Sequence, residues 1–83
     1  MKVTVKYFAS LREALDTRSE PVETTSPTVA ALRDELIARG GAYAEVLARG
    51  RAVRVALNQT LSDESDALAP GSEVAFFPPV TGG

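Results

Sequence analysis

The 83-residue chain contains no cysteine and no histidine. It therefore has no thiol nucleophile, no imidazole base near neutral pH and no soft metal-ligand cluster, which removes most designs for an autonomous enzyme. A basic excess is missing too. The formal net charge is -2, so there is no surplus of cations to neutralise a phosphate backbone, and nucleic acid is not expected as a partner. No apolar run approaches the roughly 20 residues that cross a bilayer, and the N-terminus opens on an alternating pattern without the apolar segment of a signal peptide. No membrane is expected, and a cytoplasmic address follows by default. A Gly-x-x-x-x-Gly-Lys-Ser/Thr loop is also absent, and the only lysines are Lys2 and Lys6. Any ATP in the chemistry would have to be held by another protein.

What remains is an ordinary globular mix of 45% apolar and 24% charged residues, at a length that supports one core and not two. Lys2 to Phe8 alternates, with Val3, Val5 and Tyr7 on one side and Lys2, Thr4 and Lys6 on the other, as in a half-buried strand. Phe8 falls on the polar side by parity. Ala9 to Asp16 places Leu11, Ala14 and Leu15 at helical spacing behind Ser10, which predicts a short helix. Glu20 to Thr24 predicts an edge strand, because Pro21 cannot donate a ladder hydrogen bond.

A longer helix is predicted from Val29 to Arg39, capped by Thr28, with Val29, Leu32, Leu36 and Ile37 in one stripe and Gly40-Gly41 ending it. Ala42 to Ala48 adds one or two helical turns, with Tyr43, Val46 and Leu47 read as core. Ala52 to Leu57 reads as a strand with Val53, Val55 and Leu57 inward, Pro70-Gly71 as a turn, and Glu73 to Phe77 as the last strand. This order predicts an α+β fold, one mixed sheet with a main helix packed across it, as in the β-grasp arrangement of ubiquitin. Residues 1–77 form the domain and 78–83 a flexible, extended tail.

The tail reads Pro78-Pro79-Val80-Thr81-Gly82-Gly83. Two prolines hold its backbone extended and two residues without side chains close it. Six extended residues span roughly 20 Å, enough to thread into another protein, and Gly-Gly enters a channel that any Cβ would block. A Gly-Gly pair also fits a frayed end without function.

Three segments decide between these readings: Tyr7-Phe8-Ala9-Ser10-Leu11-Arg12-Glu13, Val55-Ala56-Leu57-Asn58-Gln59-Thr60-Leu61, and the last fourteen residues from Pro70 to Gly83. In this order they closely resemble the small, sulfur-carrying subunits of molybdopterin synthase. Residues 16–50 contribute only length and helix placement, and Ser72 stands where those proteins often have Asp.

The resemblance implies a cycle at Gly83. A ubiquitin-activating-like adenylyltransferase uses ATP to form an acyl-adenylate at the Gly83 carboxylate, and a sulfur donor converts it to a covalent thiocarboxylate. Val80, Thr81 and Gly82 then thread into the large subunit, where the sulfur passes to a cyclic pyranopterin precursor of the molybdenum cofactor. The resemblance further implies a heterotetramer of two small and two large chains, docked through Phe8, Leu61 and Phe77, with no metal or cofactor bound by this chain. The chemistry suits a chain without cysteine. A carboxylate is a poor acyl donor, since oxide or hydroxide would have to leave, until adenylate becomes its leaving group, and an ionised thioacid is a good nucleophile without any thiol side chain.

Parity supports the docking surface independently. Phe8 and Phe77 both fall opposite the core side of their strands, and neighbouring strands would join them in one exposed patch at the root of the tail. Packing under a loop is the alternative. Asp63, Glu64 and Asp66 read as a solvated turn and not a cation site, since their spacing lacks a calcium-loop pattern. Arg49, Arg51 and Arg54 read as a solvated face, with an acidic partner or phosphate as the alternative. Arg12 and Glu13 receive no role beyond capping or contact. A thiamine-pathway sulfur carrier and a ubiquitin-like protein modifier are the competing functions. The helix from Ala9 to Asp16 and the Phe-Phe-Pro-Pro-Val-Thr-Gly-Gly end favour the molybdopterin reading.

Overall fold

A computed structural model describes residues 1–79; the expected tail-threading residues Val80, Thr81 and Gly82 and the reactive Gly83 lie outside the described residues. The elements run β1 (Lys2–Tyr7), α1 (Ala9–Leu15), β2 (Ser19–Glu23), α2 (Val29–Ile37), α3 (Gly41–Val46), β3 (Arg54–Leu57), β4 (Thr60–Ser62) and β5 (Glu73–Phe77). They build one five-stranded sheet in the order β2-β1-β5-β3-β4. The β1–β5 pair is parallel and the other pairs are antiparallel. This is the mixed sheet of a β-grasp fold, with β2 at one edge as Pro21 requires.

The core follows from period-2 strands meeting a period-3.6 helix. Val3, Val5 and Tyr7 of β1, Val22 of β2, Val55 of β3, and Val74 and Phe76 of β5 bury one face of the sheet against Val29, Leu32 and Leu36 of α2. Leu11 and Leu47 complete the cluster. The Tyr7 ring stacks on Phe76 at 6.4 Å and meets Tyr43 edge-on at 6.2 Å, the two favoured aromatic geometries. Thr28 caps α2 as expected, its hydroxyl accepting from the Ala31 N–H at 3.2 Å.

Several expectations need correction. Ser10 lies inside α1 and caps nothing, since Phe8 is the N-cap residue and makes no side-chain cap bond. Ala14 is exposed, because α1 is so short that Leu11 alone reaches the core fully. The main helix stops at Ile37, two residues early, and the chain turns through Ala38 and Arg39 to Gly40 at φ 78, a conformation that favours glycine. Strand β3 starts at Arg54, and Val53 and Leu57 are only half-buried. Strand β4 was not anticipated. It arises because Asn58 (φ 51) and Gln59 (φ 69) form a left-handed two-residue turn that folds β4 back on β3.

Candidate functional site

The helices cover one face of the sheet, and the other face holds the side chains of opposite parity. From β1 these are Lys2, Thr4 and Lys6, and Phe8 continues the series. Its backbone is still extended (φ -127, ψ 154), and its N–H donates to the Phe76 carbonyl at 3.1 Å, so it keeps strand parity after β1 ends. The register Tyr7↔Phe76 then sets Phe8 beside Phe77. The predicted neighbours are neighbours.

Phe8 is 46% exposed and Leu61 61% exposed, the large apolar side chains that stay in solvent among the described residues. Phe8, Ala56, Ala75 and Phe77, with Gln59 and Glu73, line a shallow depression of about 380 Å³. Leu61 pairs with Ala56, which pairs with Ala75, so it carries the apolar row outward to the sheet edge. All three predicted docking residues thus share one face. Pro78 and Pro79 follow Phe77 directly, which puts the patch at the root of the segment leading to Gly83. Phe77 is half-buried and Ala75 buried, so Phe8 and Leu61 are the large apolar side chains this face shows to solvent, and exposed aromatic anchors are enriched at protein-binding surfaces. Charge frames it: Lys6 pairs with Glu73 at 3.2 Å, and exposed Arg54 sits opposite Phe77 in the β3–β5 register.

The weaker candidates resolve into structure. Arg49 is not a freely solvated cation. It pairs with Asp34 and with Glu64, and donates to the Ala30 carbonyl at 2.8 Å. Glu64 also takes the buried Arg33 guanidinium at 2.8 Å, so two cations occupy its carboxylate. Asp66 accepts from the Ser62 hydroxyl and the Asp63 N–H, which hold its carboxyl below the usual range. Arg51 and Arg54 are exposed. Arg12 and Glu13 are exposed as well, and their carbonyls accept from the N–H groups of Thr17 and Asp16 at the end of α1. No helix among the described residues is long and apolar enough to cross a membrane.

Sequence reading missed one polar hub. Glu20, on edge strand β2, accepts from the hydroxyls of Tyr7 (2.8 Å) and Tyr43 (2.7 Å) and from Arg39 (2.8 Å), tying α3 and the end of α2 to the sheet edge. Partial burial would raise the Glu20 carboxyl, but the hydrogen bonds from Arg39, Tyr43 and Tyr7 outweigh it and hold its pKa below the ordinary 4.5. Burial, then the bond to Glu20, pushes the Tyr7 hydroxyl up. A carboxyl depressed on folding adds stability above its unfolded pKa and loses it as pH falls through the folded one. The wild-type unfolding midpoint should therefore fall more steeply than that of Glu20→Gln as pH drops below about 4.5. Equal slopes in an acid titration of thermal unfolding would mean that the hub adds no pH-linked stability.

Residues 5–83 match the ThiS family. The chain is 43% identical over 81 residues to the molybdopterin synthase sulfur carrier subunit of Escherichia coli (strain K12), covering 98% of this chain and 99% of that protein. Among solved structures it is similar to the H. volcanii small archaeal modifier protein 1, with a TM-score of 0.78 and 28% identity over 95% of this chain and 98% of the other. It is likewise similar to a chain of the protein-protein complex of subunits 1 and 2 of molybdopterin-converting factor from Helicobacter pylori 26695, with a TM-score of 0.70 and 25% identity over 100% of both chains. A match over nearly the whole length, together with a relative this similar from end to end, establishes that the chain belongs to the ThiS family, among the molybdopterin synthase sulfur carrier subunits.

Proposed function

We propose that this chain docks on a molybdopterin synthase large subunit through its open sheet face and delivers sulfur from a thiocarboxylate at Gly83. The observation that carries the reading is the apolar sheet face at the root of Pro78-Pro79, where exposed Phe8 lies beside half-buried Phe77 and exposed Leu61 extends the row to the sheet edge. A docked body would leave Val80, Thr81, Gly82 and Gly83 to enter the partner, so recognition and chemistry occupy different parts of the chain. The Helicobacter pylori complex of subunits 1 and 2 supports a large-subunit partner. In the proposed cycle a Gly83 carboxylate oxygen attacks the α-phosphorus of ATP on a separate adenylyltransferase, and pyrophosphate leaves. A sulfide-level sulfur nucleophile then attacks the acyl carbon and AMP leaves, giving the thiocarboxylate. The thiocarboxylate sulfur then bonds to a carbon of the pyranopterin precursor as an oxygen substituent leaves that carbon. Water cleaves the acyl C–S bond of the resulting thioester, so the sulfur stays on the pterin and Gly83 regains its carboxylate. The assembly would hold two small and two large chains, in the cytoplasm.

The test uses carrier loaded with a Gly83 thiocarboxylate, mixed with a large subunit and precursor. Two loaded carriers should be consumed per dithiolene formed, because each holds one transferable sulfur, and unloaded carrier should bind without turnover. Phe8→Ala or Phe77→Ala should weaken binding by about 1 to 3 kcal/mol, with a smaller loss of fold stability. The likeness to the archaeal modifier protein motivates a second reading, attachment to protein amines. Carrier found joined to lysines while the precursor stays unconverted would favour it, and thiazole formation with a thiamine-pathway synthase would favour the third.

A further inference from the structure

The proposed docking face contains one ion pair. Lys6 Nζ lies 3.2 Å from Glu73 Oε1, with the two side chains 38% and 26% exposed. The parallel register sets Lys6 beside Ala75 and Thr4 beside Glu73, so the pair bridges the β1–β5 seam. Glu73 lines the same depression as Phe8, Ala75 and Phe77. Its position is fixed by Asn58: the Glu73 N–H donates to Asn58 Oδ1 at 2.9 Å, and the Glu73 carbonyl accepts from the Asn58 N–H at 2.8 Å. A carboxylate is therefore rooted in the wall of the apolar depression.

That placement sets a physical requirement on any partner that covers the depression. Covering it strips water from Glu73, and a carboxylate losing water without a counter-charge is costly. A cation must come from one side of the interface or the other. Among the described residues the only ion pair of Glu73 is with Lys6. We infer that Lys6 is a positioning residue of the docking face: it neutralises Glu73 within this chain, so the partner surface seated on the depression is apolar and uncharged. The inference rests on the docking reading above.

A double-mutant cycle on the full chain tests it, with affinity for the large subunit measured by calorimetry. Lys6→Met should weaken binding at least about tenfold, because it leaves Glu73 unpaired under the partner. Adding Glu73→Gln should return affinity to within about threefold of wild type, since the charge that needed Lys6 is gone. Unfolding midpoints should barely move, as an ion pair this exposed contributes little to the fold. A Lys6→Met variant that binds like wild type, or a double variant as weak as Lys6→Met, overturns the inference. Phe77→Ala runs alongside: if it binds like wild type the docking reading itself fails, and if it weakens binding while Lys6→Met does not, only the role of Lys6 falls.

Discussion

Arg33→Ala is expected to lower the unfolding free energy by about 2 to 4 kcal/mol, a large share of the stability of so small a domain. Arg33 sits on α2 at only 3% exposure. Its guanidinium donates to the carbonyls of Leu47 at 2.8 Å, Ala48 at 2.7 Å and Arg51 at 3.2 Å, and to Glu64 at 2.8 Å. The segment from Leu47 to Arg51 lies between α3 and β3, outside both, and this side chain takes the place of a strand partner for three of its carbonyls. Truncation leaves the carbonyls of Leu47 and Arg51 without this donor, while Glu64 keeps Arg49 and the Ala48 carbonyl keeps the Arg51 N–H. A buried acceptor left so costs about 1 to 3 kcal/mol. Arg33→Lys should recover only part of the loss, because an ammonium cannot reproduce a planar fork of donors aimed at several acceptors. Urea titration measures both. A loss under about 1 kcal/mol for Arg33→Ala would show that water replaces the guanidinium there.

How far the sequence carries the reader depends on the range of the interaction. The alternation of Val3, Val5 and Tyr7 and the stripe of Val29, Leu32 and Leu36 are local periodicities, and both are buried as their spacing implies. The Phe8 and Phe77 surface was legible for the same reason, since strand parity assigns a face without knowledge of the fold. Strand β4 was not legible. Its turn, Asn58-Gln59, lacks the glycine that usually marks two left-handed residues in succession. Arg33 carried a faint signal, lying four residues after Val29 and three before Leu36, on the apolar stripe itself. The Glu20 hub carried none, because Tyr7, Arg39 and Tyr43 converge on it only once the sheet edge and both helices are in place.

One residue added after Gly83 is expected to abolish adenylation and sulfur loading while leaving the unfolding midpoint unchanged within error. Among the described residues every core side chain lies between Val3 and Phe76, so an addition beyond Gly83 is expected to leave the packing of the domain unchanged. The chemistry is far less tolerant. One residue moves the terminal carboxylate by up to about 3.5 Å along an extended chain, whereas reacting atoms must approach to about 3 to 3.5 Å in line before a bond can form. Gly82→Leu separates reach from passage. It keeps the carboxylate at the same chain length and leaves the docking face intact, yet its side chain would obstruct a channel fitted to bare backbone. That variant should bind the large subunit with wild-type affinity and transfer sulfur poorly. Intact-mass spectra of carrier treated with its activating enzyme, ATP and a sulfur donor report loading directly, as one oxygen exchanged for one sulfur. If the extended chain shows that exchange, the terminal carboxylate is not the reactive group and the Gly83 assignment falls.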